Sequence, residues 1–262
     1  MKLRFLGTGT SFGVPVVGCN CAVCTSTDPR DRRTRHAAII EKDDGSARVL
    51  IDTPPELRLQ LLAAGVSRID AVWFTHDHAD HTHGIDDLRV FSARLRQHVP
   101  AFADPVAAAS LRRKFTYIFD QAYRPPDGTT KPQIRLREFD LTGPTDVAGF
   151  SMLPLEVPHG DMRVYGFRTG PLGYVTDAKL LSDQVRAALD GVRVLVLNAL
   201  WFGNPHPTHF NVEEAVAMAR QIGAERTFLT HLTHRVGHAS LVEALPAGIE
   251  PAYDGLVVDI PE

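Results

Sequence analysis

Six residues, His76-Asp77-His78-Ala79-Asp80-His81, set the tightest limit on how this chain can fold. They follow Ala71–Phe74, an apolar run that reads as a strand. Side chains two apart on a strand point to the same side, so the imidazoles of His76 and His78 can reach one ion. Asp80 and His81 then begin a helical turn and bring two more donors in from another direction. One tetrahedral ion cannot use so many donors, and the density implies two divalent ions about 3.5–4 Å apart. The bland alternative, a polar loop with scattered histidines, fits this spacing at a strand end poorly.

Strands in runs, followed by strands alternating with helices, suggest layered sheets flanked by helices, and the pattern alone leaves the topology open. The chain has 262 residues, 44% hydrophobic and 23% charged, which is enough to bury a large core and excludes a disordered or fibrous chain. We read residues 1–262 as a single domain. Strands are expected at Lys2–Leu6, Ala37–Glu41, Arg48–Ile51, Val99–Ala103, Phe150–Val157, Arg163–Arg168, Gly173–Thr176, Val192–Leu197, Arg226–Thr230 and Leu256–Val258. Helices are expected at Glu56–Ala64, Pro105–Lys114, Ser182–Leu189, Asn211–Ile222 (with Glu214 completing a capping box) and Ala239–Leu245. Arg124–Gly128 reads as a loop. Lys+Arg is 28 against Asp+Glu 31, a net charge of -3, which argues against a nucleic-acid partner. No run of about 18 apolar residues occurs, so no membrane span is expected. The opening Met1–Gly7 breaks at glycine before a signal-peptide core, and a cytoplasmic, reducing location follows as the expectation.

The three cysteines form a second constellation. Cys19, Cys21 and Cys24 lie in one short loop at about residues 18–25. Thiolates are strong zinc ligands, and a structural tetrahedral site needs a fourth donor. His234 is the best fourth donor. A disulfide would leave an odd thiol.

The histidine motif resembles that of the metallo-β-lactamase superfamily, and the resemblance extends to other positions. Asp52 after Val49–Ile51 matches an acidic outer position that braces the histidine loop. His159 in Pro158-His159-Gly160, Asp177 after Tyr174-Val175-Thr176 and His231 after Phe228-Leu229-Thr230 match ligand positions. The resemblance implies a four-layer αββα sandwich with the site at one edge of its two sheets. It implies that His76, His78 and His159 hold one metal, that Asp80, His81 and His231 hold the second, and that Asp177 bridges both. The opening Gly7-Thr8-Gly9-Thr10-Ser11-Phe12-Gly13-Val14-Pro15, the cysteines and the histidine motif, in that order, are similar to the phosphoribosyl cyclic phosphodiesterase branch of bacterial phosphonate breakdown. That branch carries a structural Cys3His zinc beside a two-metal site. His209, in Pro207-Thr208-His209-Phe210, stands where the branch has a histidine near the substrate phosphate, and His206 is its rival.

The resemblance implies hydrolysis of a small phosphodiester, a cyclic ribose phosphate or a nucleotide-like ester. Asp80 would orient the attacking hydroxide and His209 would act as general acid or phosphate contact. Zinc, manganese or iron suits the active-site donors, and zinc the thiolates. A homodimer is common among such enzymes, and the sequence leaves the oligomeric state open. Two other readings stay open: a ribonuclease Z-like tRNA-processing nuclease, which lacks here a basic arm, and an accessory protein of pyrroloquinoline quinone biosynthesis. The glycine-rich opening is one residue too long for a dinucleotide fingerprint and is followed by Val14-Pro15 rather than a helix. It reads either as a loop that offers backbone N–H groups to phosphate or as a plain turn.

Overall fold

The computed structural model describes residues 1–261. One sheet contains β1 (Lys2–Gly7), β2 (Ala37–Glu41), β3 (Arg48–Ile51), β4 (Ala71–Trp73), β5 (Val99–Ala103), β6 (Ile134–Glu138) and β14 (Val257–Asp259), in the order β14-β1-β2-β3-β4-β5-β6. The other contains β7 (Thr145–Val147), β8 (Phe150–His159), β9 (Met162–Thr169), β10 (Leu172–Tyr174), β11 (Val194–Asn198), β12 (Arg226–Thr230) and β13 (Ile249–Pro251), in the order β13-β12-β11-β10-β9-β8-β7. Antiparallel pairing joins β14, β1, β2 and β3, and parallel pairing joins β3 to β6. In the second sheet β7 to β10 are antiparallel and β10 to β13 parallel.

The layering follows from the two-residue period of each strand. Central strands read as unbroken apolar runs because both of their faces are covered. Phe5, Ala38, Ile40, Val49, Ile51 and Trp73 face the second sheet, where Phe167, Tyr174, Val194, Val196 and Phe228 meet them. Their neighbours Leu6, Ile39, Leu50 and Val72 point outward under the helices α1 (Leu57–Ala63), α3 (Arg89–Leu95) and α4 (Pro105–Lys114). Leu195, Leu197 and Leu229 point outward from the second sheet under α6 (Asp183–Ala188), α7 (Val212–Ile222) and α8 (His238–Ala244). The result is the αββα sandwich, with Trp73 at its centre, stacked on Phe139 at 4.2 Å and donating Nε1–H to the Tyr165 carbonyl at 3.1 Å.

The sequence reading of the long elements agrees with the structure to within two residues at each end. The strands β6, β7 and β13, the helix α3 and the four-residue α5 (Thr116–Phe119) were not among the expected elements. The glycine opening is a close-approach seam. A Cβ on Gly7 would lie 2.0 Å from the Arg35 carbonyl oxygen, and one on Gly9 would lie 2.8 Å from that of Arg33. Thr8 accepts the Leu232 N–H at 2.8 Å, so this seam also anchors the end of β12.

Candidate metal centre

The seven expected ligands sit at or just past strand ends on one edge of the sandwich. In open α/β sheets, sites form outside the carboxyl ends of strands. Thr75-His76 leaves β4, Asp177 follows β10 and His231 follows β12. His159 is the last residue of β8, turned back into β9 by Gly160 at φ 61°. Asp80 and His81 lie on α2 (Ala79–Thr82), the expected helical turn. Asp52, Asp177 and His231 hold the left-handed conformation, with φ of 61°, 55° and 58°. Each costs roughly 1 kcal/mol for a residue with a Cβ. Asp177 is fixed by its neighbour: the Asn198 side chain clamps both the N–H and the carbonyl of Ala178, at 2.7 and 3.1 Å.

The donors fall into overlapping groups whose atoms lie within 4.8 Å of one another: His76, His78 and His159; Asp80, His81 and His231; His76, His81 and Asp177; and His159, Asp177 and His209. His76 Nε2 and His78 Nδ1 are 3.0 Å apart. His81 Nε2 lies 3.4 Å from Asp177 Oδ2 and 3.5 Å from Asp80 Oδ2, and His231 Nε2 lies 3.1 Å from Asp177 Oδ1. Asp177 thus stands within reach of both histidine sets.

Burial and the carboxylates act in opposite directions on these histidines. Burial drives His76 well below the ordinary imidazole range and lowers His231 to about 4. Burial opposes charge on His81 too, but Asp80, Asp177 and Asp52 outweigh it and raise His81 to about 10. Burial alone would raise Asp177, yet His231, His81 and His209 hold it well below the carboxylate range. The ring nitrogens His81 Nε2, His231 Nδ1 and His231 Nε2 are buried without a hydrogen-bond partner. Buried polar atoms are normally satisfied. Lone imidazole nitrogens facing carboxylates are the donor set that divalent zinc, manganese or iron accepts, so the residues fit the ions.

Outer contacts hold this arrangement. Asp52, fully buried, accepts from the Thr75 N–H and hydroxyl at 2.8 Å each and lies 2.7 Å from His81 Nδ1. His159 Nδ1 is 3.3 Å from the Thr208 carbonyl. Beneath the centre, buried His36 meets the Tyr174 hydroxyl at 2.9 Å and lies 5.4 Å, ring to ring, from His81. The His36–Tyr174 contact carries no sequence signature, because a lone histidine before a strand and a tyrosine within one show no pattern.

His209 is deeper in the site than a loop residue need be. The Phe210 N–H bonds the Ala178 carbonyl at 2.8 Å, which brings His209 Nε2 to 2.8 Å from Asp177 Oδ1. His206 lies behind it, Nδ1 to Nδ1 at 3.3 Å. Both line a cavity of about 490 Å³ together with His231, Trp201, Arg235 and the Thr10–Gly13 loop. A second cavity of about 470 Å³ opens at His76, lined by Val106, Leu141, Met162 and Tyr165 among others.

The cysteines form a separate group. Sγ of Cys19, Cys21 and Cys24 lie 3.3, 3.4 and 3.6 Å from His234 Nδ1. A tetrahedral zinc with ordinary Zn–S and Zn–N bonds sets its ligands about 3.5 Å apart, so this set fits zinc. The Cys24 N–H is the main cause of the Cys21 thiol falling to about 6, while burial pushes Cys24 up to about 11.

The comparisons place the chain among known proteins. Residues 47–232 match the β-lactamase superfamily domain. An octanoyltransferase of Porphyromonas gingivalis is 37% identical across 100% of this chain, which spans only 52% of that protein's length. A coenzyme PQQ synthesis protein B of Methylorubrum populi is 26% identical over 99% of this chain and 100% of its own. The crystal structure of a new diphosphatase from the PhnP family superimposes with a TM-score of 0.90 at 37% identity, covering 99% of this chain and 98% of that one. With its fold, its strand-end donors and its cysteine cluster, the chain belongs to the β-lactamase superfamily and carries the metallo-β-lactamase hydrolase fold.

Proposed function

We propose that the protein is a metal-dependent phosphodiesterase acting on small, nucleotide-like or cyclic ribose phosphates. The observation that carries this reading is that cavities open from two parts of the donor set, one at His76 and one at His209 and His231. An acyclic phosphodiester can seat one ester arm in each, whereas a monoester has a single arm. In this reading His76, His78 and His159 hold one ion, Asp80, His81 and His231 the other, and Asp177 reaches both. When bound, the ions supply an acidified water and withdraw charge from the phosphoryl oxygens. Asp52 fixes the ring of His81 through Nδ1. Asp80 orients the attacking oxygen. His209 holds at Nε2 the proton that a departing alkoxide takes.

A diphosphate ester is the second reading, favoured by the diphosphatase at 37% identity, since a P–O–P link also gives phosphorus two arms. The octanoyltransferase relative is about twice as long as this chain. A nuclease role is disfavoured by the net charge of -3, and an accessory role by seven filled donor positions. The test is hydrolysis by protein reloaded separately with manganese and with zinc. Bis(p-nitrophenyl) phosphate should turn over well and p-nitrophenyl phosphate poorly. Preference for the monoester, a thioester or a β-lactam would overturn the assignment.

A further inference from the structure

The open edge of the first sheet carries an excess of positive charge. Residues 94–138 contain nine Lys and Arg against four Asp and Glu, in a chain whose net charge is -3. The strand β6 is the last of that sheet, and Arg135 and Arg137, two apart on it, share a side. They line a cavity of about 340 Å³ together with Arg96, Gln97, His98 and Pro100, and no carboxylate lines it. Among the described residues no hydrogen bond or ion pair engages the guanidinium of Arg96, Arg135 or Arg137. His98 and Arg135 also line an adjoining cavity of about 680 Å³, in which Asp120 is the single carboxylate among the described residues. There Lys131 Nζ donates to the Asp120 carbonyl at 2.8 Å and Arg124 donates to the Gln121 carbonyl, contacts that leave both charges uncancelled. The exposed Tyr123 ring, with its centre 5.5 Å from Lys131 Nζ, adds an aromatic surface.

Arg96 is kept here against a backbone cost. It holds the left-handed conformation, with φ 51° and ψ 36°, at the C-terminal end of α3, where glycine has no Cβ penalty. Like charges crowded without acids repel, and a bound anion relieves that repulsion. Guanidinium forks match phosphate, and both cavities are in the size range of small-ligand sites. A long polyanion would meet the negative charge of the rest of the chain, whereas a short one feels mainly the cations within a Debye length of about 10 Å.

We propose that this edge is a second ligand site, separate from the metal centre, that takes a short linear oligophosphate, either free or as the tail of a nucleotide. His98 precedes β5 and Asp104 follows it, and Asp104 lines the cavity at His76. Six residues of extended chain, about 20 Å, thus separate the two sites. The proposal does not depend on the reaction assigned above. The bland alternative is that these charges only keep a second strand off the edge.

The test is isothermal titration of the metal-loaded protein with inorganic tripolyphosphate and with adenosine triphosphate. Each is supplied as its magnesium complex, so that the protein's own ions stay in place. Losing one charge-assisted contact predicts roughly tenfold weaker binding. Arg135→Gln and Arg137→Gln should each weaken both ligands by about that factor, with diester turnover and metal content unchanged. Arg96→Gly should weaken them equally while the melting temperature holds or rises, because glycine relieves the left-handed turn. Tighter binding of the nucleotide, lost in Tyr123→Ala, would assign the site to a nucleotide tail, and equal binding of both would assign it to a free oligophosphate. Binding of neither ligand, or binding that survives Arg135→Gln and Arg137→Gln together, would overturn the proposal.

Discussion

His209 connects a loop to the acidic heart of the site, and its chemistry can be separated from its placement. A nitrophenolate leaves without a proton, whereas a ribose alkoxide needs one. If Nε2 delivers that proton, His209→Ala should slow an alkyl or cyclic ribose ester by roughly 10²–10⁴-fold and a nitrophenyl ester far less. A paired rate measurement on both substrates checks this, and an equal loss on both would remove the acid role. At this scale the sequence was most legible where donors crowd into one run. His76 to His81 announce themselves by spacing alone. His159, Asp177 and His231 stand singly, and each became visible only through the family resemblance. Trp201, Arg235 and His36 stayed hidden because their partners lie across the fold: Arg235 meets Trp201 thirty-four positions away and His36 meets Tyr174 across the two sheets.

Among the elements, those with two covered faces or clear caps were readable. The strands β2, β3 and β5 are apolar runs bounded by polar residues, and α7 begins on Asn211 with both halves of its capping box formed. The strand β6 escaped notice because three of its five residues, Arg135, Arg137 and Glu138, are charged, as suits an edge strand that must not recruit another chain. The strands β7 and β13 interrupt their apolar signal within three residues, with Asp146 in β7 and Glu250-Pro251 in β13. The cysteine loop has no regular structure, yet it ties the first tenth of the chain to the segment after β12. Zinc there would add folding free energy and close a loop of some two hundred residues. Cys21→Ser should therefore lower the melting temperature more than Asp80→Ala does, while Asp80→Ala should abolish turnover with the fold intact. Calorimetry alongside metal analysis checks the division, and equal melting shifts would contradict it.

For the molecule as a whole, the joint that matters is the passage from β13 back to β14, where the chain returns from the second sheet to the first. Asp254 sits in that passage and accepts four hydrogen bonds, from the N–H and hydroxyl of Thr8 at 2.9 and 2.8 Å and of Thr34 at 2.7 and 2.6 Å. It fastens the exits of β1 and the approach to β2 in one place, beside the seam that holds β12. Asp254→Ala leaves four donors without their acceptor and should cost roughly 3 kcal/mol in denaturant unfolding. A loss below about 0.5 kcal/mol would show that water replaces the carboxylate there. The same return strand brings the two ends of the described chain side by side: the Met1 amine donates to the Ile260 carbonyl at 2.9 Å, and the Ile260 N–H to the Met1 carbonyl at 2.8 Å. A short peptide could join them, and the chain could be reopened between Asp127 and Gly128, which are exposed and belong to no strand or helix. Every sheet partner would survive such a permutation. What would change is the order of synthesis, since His159, Asp177, His231 and His234 would leave the ribosome ahead of the cysteines and the His76–His81 run. The permuted gene would show whether the two metal groups assemble in either sequence of arrival.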